Sequence, residues 1–176
     1  RSVLAMTQRI LAEQIATIAT SDTPVPTDVR AMLHRVTLDA FGLMLAARQT
    51  DYIEALKASC LDQGTATAFG HGSGFTVQDA TLINGTAVHG EDFDDTFEGT
   101  PVHVSSVIVP TMLAIAEREN ISRDRLINAM AQGSELICRL ALVAPTAIHR
   151  QGFHPTAILG AFGASLTASI AYQLTP

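Results

Sequence analysis

The sequence predicts an all-α domain. Apolar residues recur at three- and four-residue intervals along most of the chain, the repeat of an amphipathic helix. No stretch alternates apolar and polar residues as a half-buried strand does, so no sheet is expected. Aromatic residues make up only 5% and Trp is absent, while alanine is abundant, which suits close helix–helix packing. At 176 residues and 47% hydrophobic, residues 1–176 are expected to form one domain with a sizeable core. Seven or eight helices and no internal repeat are expected.

In chain order, Val3–Ala19 carries Val3, Met6, Ile10, Leu11, Ile15 and Ile18 close to helical spacing. Ser21–Pro26 reads as a turn, after which Thr27 stands where a cap belongs and Asp28 falls in the first turn of a second helix. The stripe of that helix is Val29, Met32, Leu33, Val36, Phe41 and Leu45. Asp51–Leu61 gives a short third helix. Thr65–Phe75, rich in Gly and Thr, is the least helical stretch and has room for a short extended segment.

Helix resumes near Val77 and runs towards His89. Asn84-Gly85 resembles a hairpin turn, but no strands flank it, so the glycine reads as a close-packing position. His103–Glu119 is the next helix, kinked at Pro110, and Arg123–Val143 follows, closed by Pro145. Pro155 suits the first position of a last helix ending near Tyr172. Gly160, Ala161, Gly163, Ala164 and Ala168 keep the surface of that helix small.

Composition narrows the function classes. A net charge of −6 leaves no basic face for a nucleic acid. Mean hydropathy of +0.25 marks a globular chain. Cys60 and Cys138 sit alone in helical patterns and read as reduced core thiols, which fits the cytoplasm or an organelle matrix. No apolar run reads as a membrane span or a signal peptide.

The chemistry is concentrated in Asn84–His103, which holds two histidines, three aspartates, two glutamates and three threonines between apolar helical sequences. Groups of this kind beside a core need hydrogen bonds, water or a ligand to satisfy them. If helix continues through Thr96, then His89, Asp92 and Thr96 fall on one face within reach of Asp95, and can relay protons or hold a carboxylate. The plain alternative is a capped helix end with Asp94 and Asp95 solvated. His103 and His154 each stand just before a predicted helix, where unpaired N–H groups favour anions and an imidazole can exchange a proton. An ordinary capping role is the alternative for each.

Other chemistries find less support. His89, Asp92, Asp94, Asp95 and His103 include metal-ligand types, but their spacing matches no HExxH, EF-hand or zinc-ribbon pattern. No nucleophile elbow is present, and Gly70-His71-Gly72-Ser73-Gly74 lacks the strand–helix context of a nucleotide loop.

Several motifs in order, NGTAVHGEDFDDT, a histidine a few residues on, a Pro-containing helix ending Leu113-Ala114-Ile115-Ala116-Glu117, Leu38-Asp39-Ala40-Phe41-Gly42, and Gly152-Phe153-His154 followed by Thr156, resemble the MmgE/PrpD superfamily. That family includes 2-methylcitrate dehydratase, cis-aconitate decarboxylase and iminodisuccinate epimerase. The resemblance runs from about residue 5 to the end. It implies a helical first domain, with a smaller α+β domain, outside this chain, closing over it. It implies a dimer working without metal, iron–sulfur cluster or other cofactor.

Residue by residue, the resemblance implies that Asp92, Thr96, His103 and His154 line the pocket. Asp92 and His154 then do acid/base work, while Thr96 and His103 place a substrate carboxylate or hydroxyl. His89, Asp95, Thr156 and Arg150 are the expected further substrate contacts. The implied reaction is dehydration of a hydroxy-carboxylic acid through a carbanion- or enediolate-like state, and decarboxylation or epimerisation would use the same groups.

The loop reads His103-Val104-Ser105 where the family has His-Pro-Ser, and the family draws a lysine and a tyrosine from later sequence. The chain is therefore expected to be incomplete relative to the family. It would work with a self-copy or with a second chain carrying the remaining domain. A half-length enzyme of a biosynthetic pathway and a non-catalytic binding or assembly subunit are the alternatives.

Overall fold

The computed structural model describes residues 10–19 and 24–175, so Val3 and Met6 of the first expected helix lie outside the described residues. Eight helices and one hairpin are present among them. In order they are α1 (Leu11–Ala19), α2 (Thr27–Ala47), α3 (Asp51–Ser59), β1 (Ala66–Ala68), β2 (Gly72–Phe75), α4 (Val77–His89), α5 (Ser105–Arg118), α6 (Arg123–Val143), α7 (Ala147–Arg150) and α8 (Pro155–Ala171). The domain is largely helical, as its periodicity predicts.

Helix starts follow local chemistry. Thr76 Oγ1 accepts from the Asp79 N–H of α4, and Ser122 Oγ accepts from the Arg125 N–H of α6. Thr27 is the first residue of α2 and does not cap it; Pro26 holds the cap position in extended geometry. The buried face of α2 also differs from the expected stripe. Leu33, Ala40, Met44 and Ala47 are buried, whereas Val29, Met32 and Leu45 are exposed. The helix is apolar on several sides, so periodicity alone does not choose the face that meets the core.

The expectation of no sheet is corrected by β1 and β2, which pair antiparallel with Ala68 opposite Gly72 and a register shift beside Ala66. Two short strands make a marginal sheet by themselves. Here Asn84 of α4 holds β1, its Oδ1 accepting from the Phe69 N–H at 2.7 Å and its Nδ2 donating to the Thr67 carbonyl at 3.1 Å. Glu117 Oε2 accepts from the Thr67 N–H at 2.9 Å. Asn84 is therefore a buried anchor, while Gly85 beside it lets α5 close in, since a Cβ there would meet the Ser106 carbonyl at 3.2 Å.

The core gathers Met44, Ile53, Ile83, Val88, Ile108 and Ile137, each essentially inaccessible to water. Helices α6 and α8 share the most extensive contact. Their seam depends on Gly133 and Gly163: a Cβ on Gly133 would press into Thr167 Oγ1 and stand 2.9 Å from the Gly163 carbonyl. Alanine is the better helix former by up to about 1 kcal/mol. Gly133→Ala is nevertheless expected to destabilise the domain, by about 1–3 kcal/mol, because overpacking outweighs propensity. A urea titration showing equal or greater stability would contradict this account of the seam.

Helix α6 is the one helix among the described residues with the length and hydropathy of a membrane span. The sequence expectation of no such run is corrected to that extent. In this fold α6 uses Ile127, Met130, Gly133, Ile137 and Ala141 as a buried face, and carries Glu135 and Arg139 outward as an ion pair.

Candidate active site

The site forms where α4 ends, where the loop of residues 90–104 returns, and where α8 begins. Helix α4 stops at His89, as the sequence reading has it, and the supposed continuation to Thr96 does not occur. Gly90 caps it, pressed under Tyr52, whose ring atoms would stand 2.6 Å from any Cβ at that position. The Asp92 backbone is left-handed, with φ 56°, a conformation aspartate tolerates better than most residues. The expected shared face of His89, Asp92 and Thr96 is thus replaced by a turn. That turn swings Asp94 inward and Thr96 away.

Asp94 is the centre of the arrangement. Its side chain is 0% exposed. Its Oδ1 and Oδ2 lie 3.0 and 3.1 Å from His89 Nδ1. The same Oδ1 lies 3.1 Å from His103 Nδ1, which is buried and off the line of a hydrogen bond. His89 Nε2 stands 3.0 Å from His154 Nε2. The three rings form a cluster with centroids 4.7, 5.0 and 6.3 Å apart. Asp92, three-quarters exposed, approaches His103 Nε2 at 3.5 Å from the solvent side.

Helix starts supply the remaining placements. Asp95 Oδ1 accepts from the Ser105 N–H at 2.9 Å and so fixes the beginning of α5, which starts at Ser105 and not at His103. Buried Thr156 in the first turn of α8 accepts from the His103 N–H at 2.9 Å, tying the loop to α8. Gly152, at φ 81°, makes the turn that brings extended His154 to the cap of α8.

The sequence candidates therefore separate into groups. His89, Asp92, His103 and His154 come together, and Thr156 joins them through the backbone. Asp95 lies behind the cluster, holding α5. Exposed Thr96 lines a separate cavity with Asp95, Phe97, Val104 and Cys138. Arg150 is an exposed residue of α7, and Arg139 pairs with Glu135 on α6. Sequence reasoning named Asp94 only among the metal-ligand types and otherwise left it in solvent, whereas it is buried.

A cleft of about 930 Å³ opens beside the cluster between α4, α5 and α8. His89, His154 and Thr156 stand at one end, and Leu82, Val107, Pro110, Ala161 and Ala164 form its apolar walls. His154 is exposed as a residue, yet its ring packs against two others. Burial lowers its pKa from the ordinary value, the neighbouring imidazoles of His89 and His103 disfavour a further positive charge and lower it further, Asp92 opposes and His149 adds a little. Cys138 behind the cluster is pushed up to about 11, chiefly by burial, and is a poor nucleophile.

One ligand-type atom from each of His89, Asp92, Asp94 and His103 falls within 4.8 Å of all the others, so these four could hold a divalent ion. Protons shared between the imidazoles and carboxylates can satisfy the same atoms. The arrangement can accept, store and return a proton at the cleft end.

Fold and site together define a helical domain that gathers a histidine–carboxylate cluster where three helices meet. The chain matches the MmgE/PrpD N-terminal domain over residues 9–176 and belongs to that family, which is associated with lyases. It is 34% identical to human cis-aconitate decarboxylase over 95 residues, which are 51% of this chain and 20% of the human protein. The matched stretch thus spans about a fifth of that relative's length.

Proposed function

We propose that this domain supplies acid/base groups of a cofactor-independent lyase acting on a small hydroxy-carboxylic acid, by dehydration of the 2-methylcitrate type. The observation that carries the reading is the three-histidine cluster, pinned to a buried carboxylate at the end of the cleft. Dehydration next to a carboxylate needs a base at carbon, an acid at the departing hydroxyl and donors to the developing charge. His154, the ring open to solvent, serves as the base. Asp92 and His103 face each other at the cluster's outer edge and serve the departing group, and Thr156 helps to hold the loop in place.

Decarboxylation is the second reading, favoured by the name of the human relative. The same acid then protonates the carbanion that carbon dioxide leaves behind. Epimerisation would return the proton to the opposite face. No Lys or Arg lines the cleft among the described residues. A substrate with several carboxylates therefore needs cations from elsewhere, from a second copy of the chain or from a chain supplying a second domain. We place the protein in the cytoplasm or an organelle matrix.

The test is proton NMR in D2O on the protein purified with whatever companions it retains, using 2-methylcitrate and cis-aconitate. Stoichiometric conversion of 2-methylcitrate to the unsaturated acid, or of cis-aconitate to a decarboxylated acid carrying deuterium taken from solvent, is the expected result. A folded assembly that neither turns over nor exchanges either acid would favour a binding or assembly role.

A further inference from the structure

We infer that His154 meets its substrate through Nδ1, because a chain of hydrogen bonds from Asp94 through His89 commits its Nε2 to carrying a proton. The use of this nitrogen rests on the lyase reading above, but its protonation pattern is a property of the resting protein.

Asp94 has no exposed side-chain surface, and both its oxygens lie within hydrogen-bond distance of His89 Nδ1. An ionised carboxylate only accepts, so the proton between them sits on His89 Nδ1. A neutral imidazole protonated there presents a bare lone pair at Nε2. That lone pair faces His154 Nε2 at 3.0 Å. Two bare nitrogens at this distance repel, so His154 carries its proton on Nε2 and donates it to His89.

The remaining basic atom of His154 is Nδ1. Nothing in the helix claims that atom, since the His154 side chain makes no cap hydrogen bond to α8 although it occupies the cap position. His103 does not break the pattern. Its Nδ1 approaches Asp94 off the hydrogen-bond line, so His89 keeps the two-oxygen contact. The remaining charged groups near His154 are Asp92, on the solvent side of His103, and His149 of α7.

His89 and Asp94 are therefore positioning residues. They choose the nitrogen that His154 offers. The competing pattern has a doubly protonated His89 donating from Nε2, which would leave His154 with a proton on Nδ1 and its lone pair on Nε2 engaged by His89. The two patterns exchange the roles of both nitrogens, so they are spectroscopically distinct.

The experiment is a long-range nitrogen–proton correlation spectrum of the full chain labelled at histidine nitrogen. It is recorded at pH 8, above the ordinary imidazole pKa of about 6.5. Ring signals are assigned by replacing one histidine at a time with glutamine. The expected spectrum shows His89 protonated at Nδ1 and His154 protonated at Nε2 with a bare Nδ1. In His89→Phe, His154 is expected to lose this single tautomer and show the mixed population of a free ring. A wild-type His154 protonated at Nδ1, or a His154 whose tautomer is unchanged in folded His89→Phe, would overturn the inference. The spectrum is read without substrate, so absence of lyase activity leaves it standing, and a reversed tautomer leaves the lyase reading open to its own test.

Discussion

Replacing His154 by alanine is expected to lower turnover by about a thousandfold, in the range that removal of a general acid or base usually costs. The helical fold is expected to survive, because His154 is exposed, stands outside α8 and caps none of its N–H groups. The loss should fall mainly on kcat, since the ring is assigned to proton transfer more than to holding substrate. Circular dichroism and turnover of the acid identified by NMR measure the two halves. A folded His154→Ala protein with undiminished turnover would remove His154 from the chemistry. His103→Ala is a less clean test, because His103 is buried and joined through its backbone to Thr156, so folding and activity would change together.

The same residue sets the acid limb of the pH–rate profile. Burial and the neighbouring imidazoles hold the His154 pKa below the ordinary imidazole value, so the ring remains a base at lower pH than a free histidine does. Activity limited by the unprotonated ring should therefore fall off only below about pH 6.5. The sign for stability is consistent. A histidine with a depressed pKa in the folded state favours its neutral form there, so its contribution is present above the ordinary value and is lost as pH falls through the folded value. That contribution is small for so open a ring. Kinetics will report the shift better than melting will.

The fold was largely legible because helix-forming sequence dominates and its boundaries carry local signals. Pro155 opens α8, and Arg123–Val143 coincides with a long apolar repeat. Thr65–Phe75 read as room for an extended segment, but its pairing into a hairpin was not legible, because the strands are held by Asn84 and Glu117, which lie well outside them in sequence. The buried face of α2 was hidden for a related reason: a helix apolar on several sides is oriented by its neighbours. At the site, motif order identified the histidines and the sequence ended α4 near His89, but the conditional continuation to Thr96 fails at the turn of Gly90 and Asp92. The left-handed turn at Asp92 resets the directions of the side chains that directly follow it. This is why Thr96 left the cluster and Asp94 entered it.

Asp94→Ala is expected to destabilise the domain by about 3 kcal/mol, whereas Asp92→Asn should change stability by no more than about 0.5 kcal/mol. Both are aspartates of one short run, and they differ in what surrounds them. Asp94 is sealed from water and holds His89, while Nδ1 of His103 lies against it with no other partner. Truncating it leaves two imidazoles facing a void, with a donor that burial makes costly to strand. Asp92 is three-quarters exposed, and asparagine accepts the same left-handed backbone. Urea titrations of the two variants decide the matter without any substrate. Equal costs would mean that the cluster is not organised around Asp94. A large cost at Asp94 alone would locate the organising charge two residues inside the aspartate that motif resemblance selects. Asp92 would then be free to act at the solvent edge because Asp94 carries the structure.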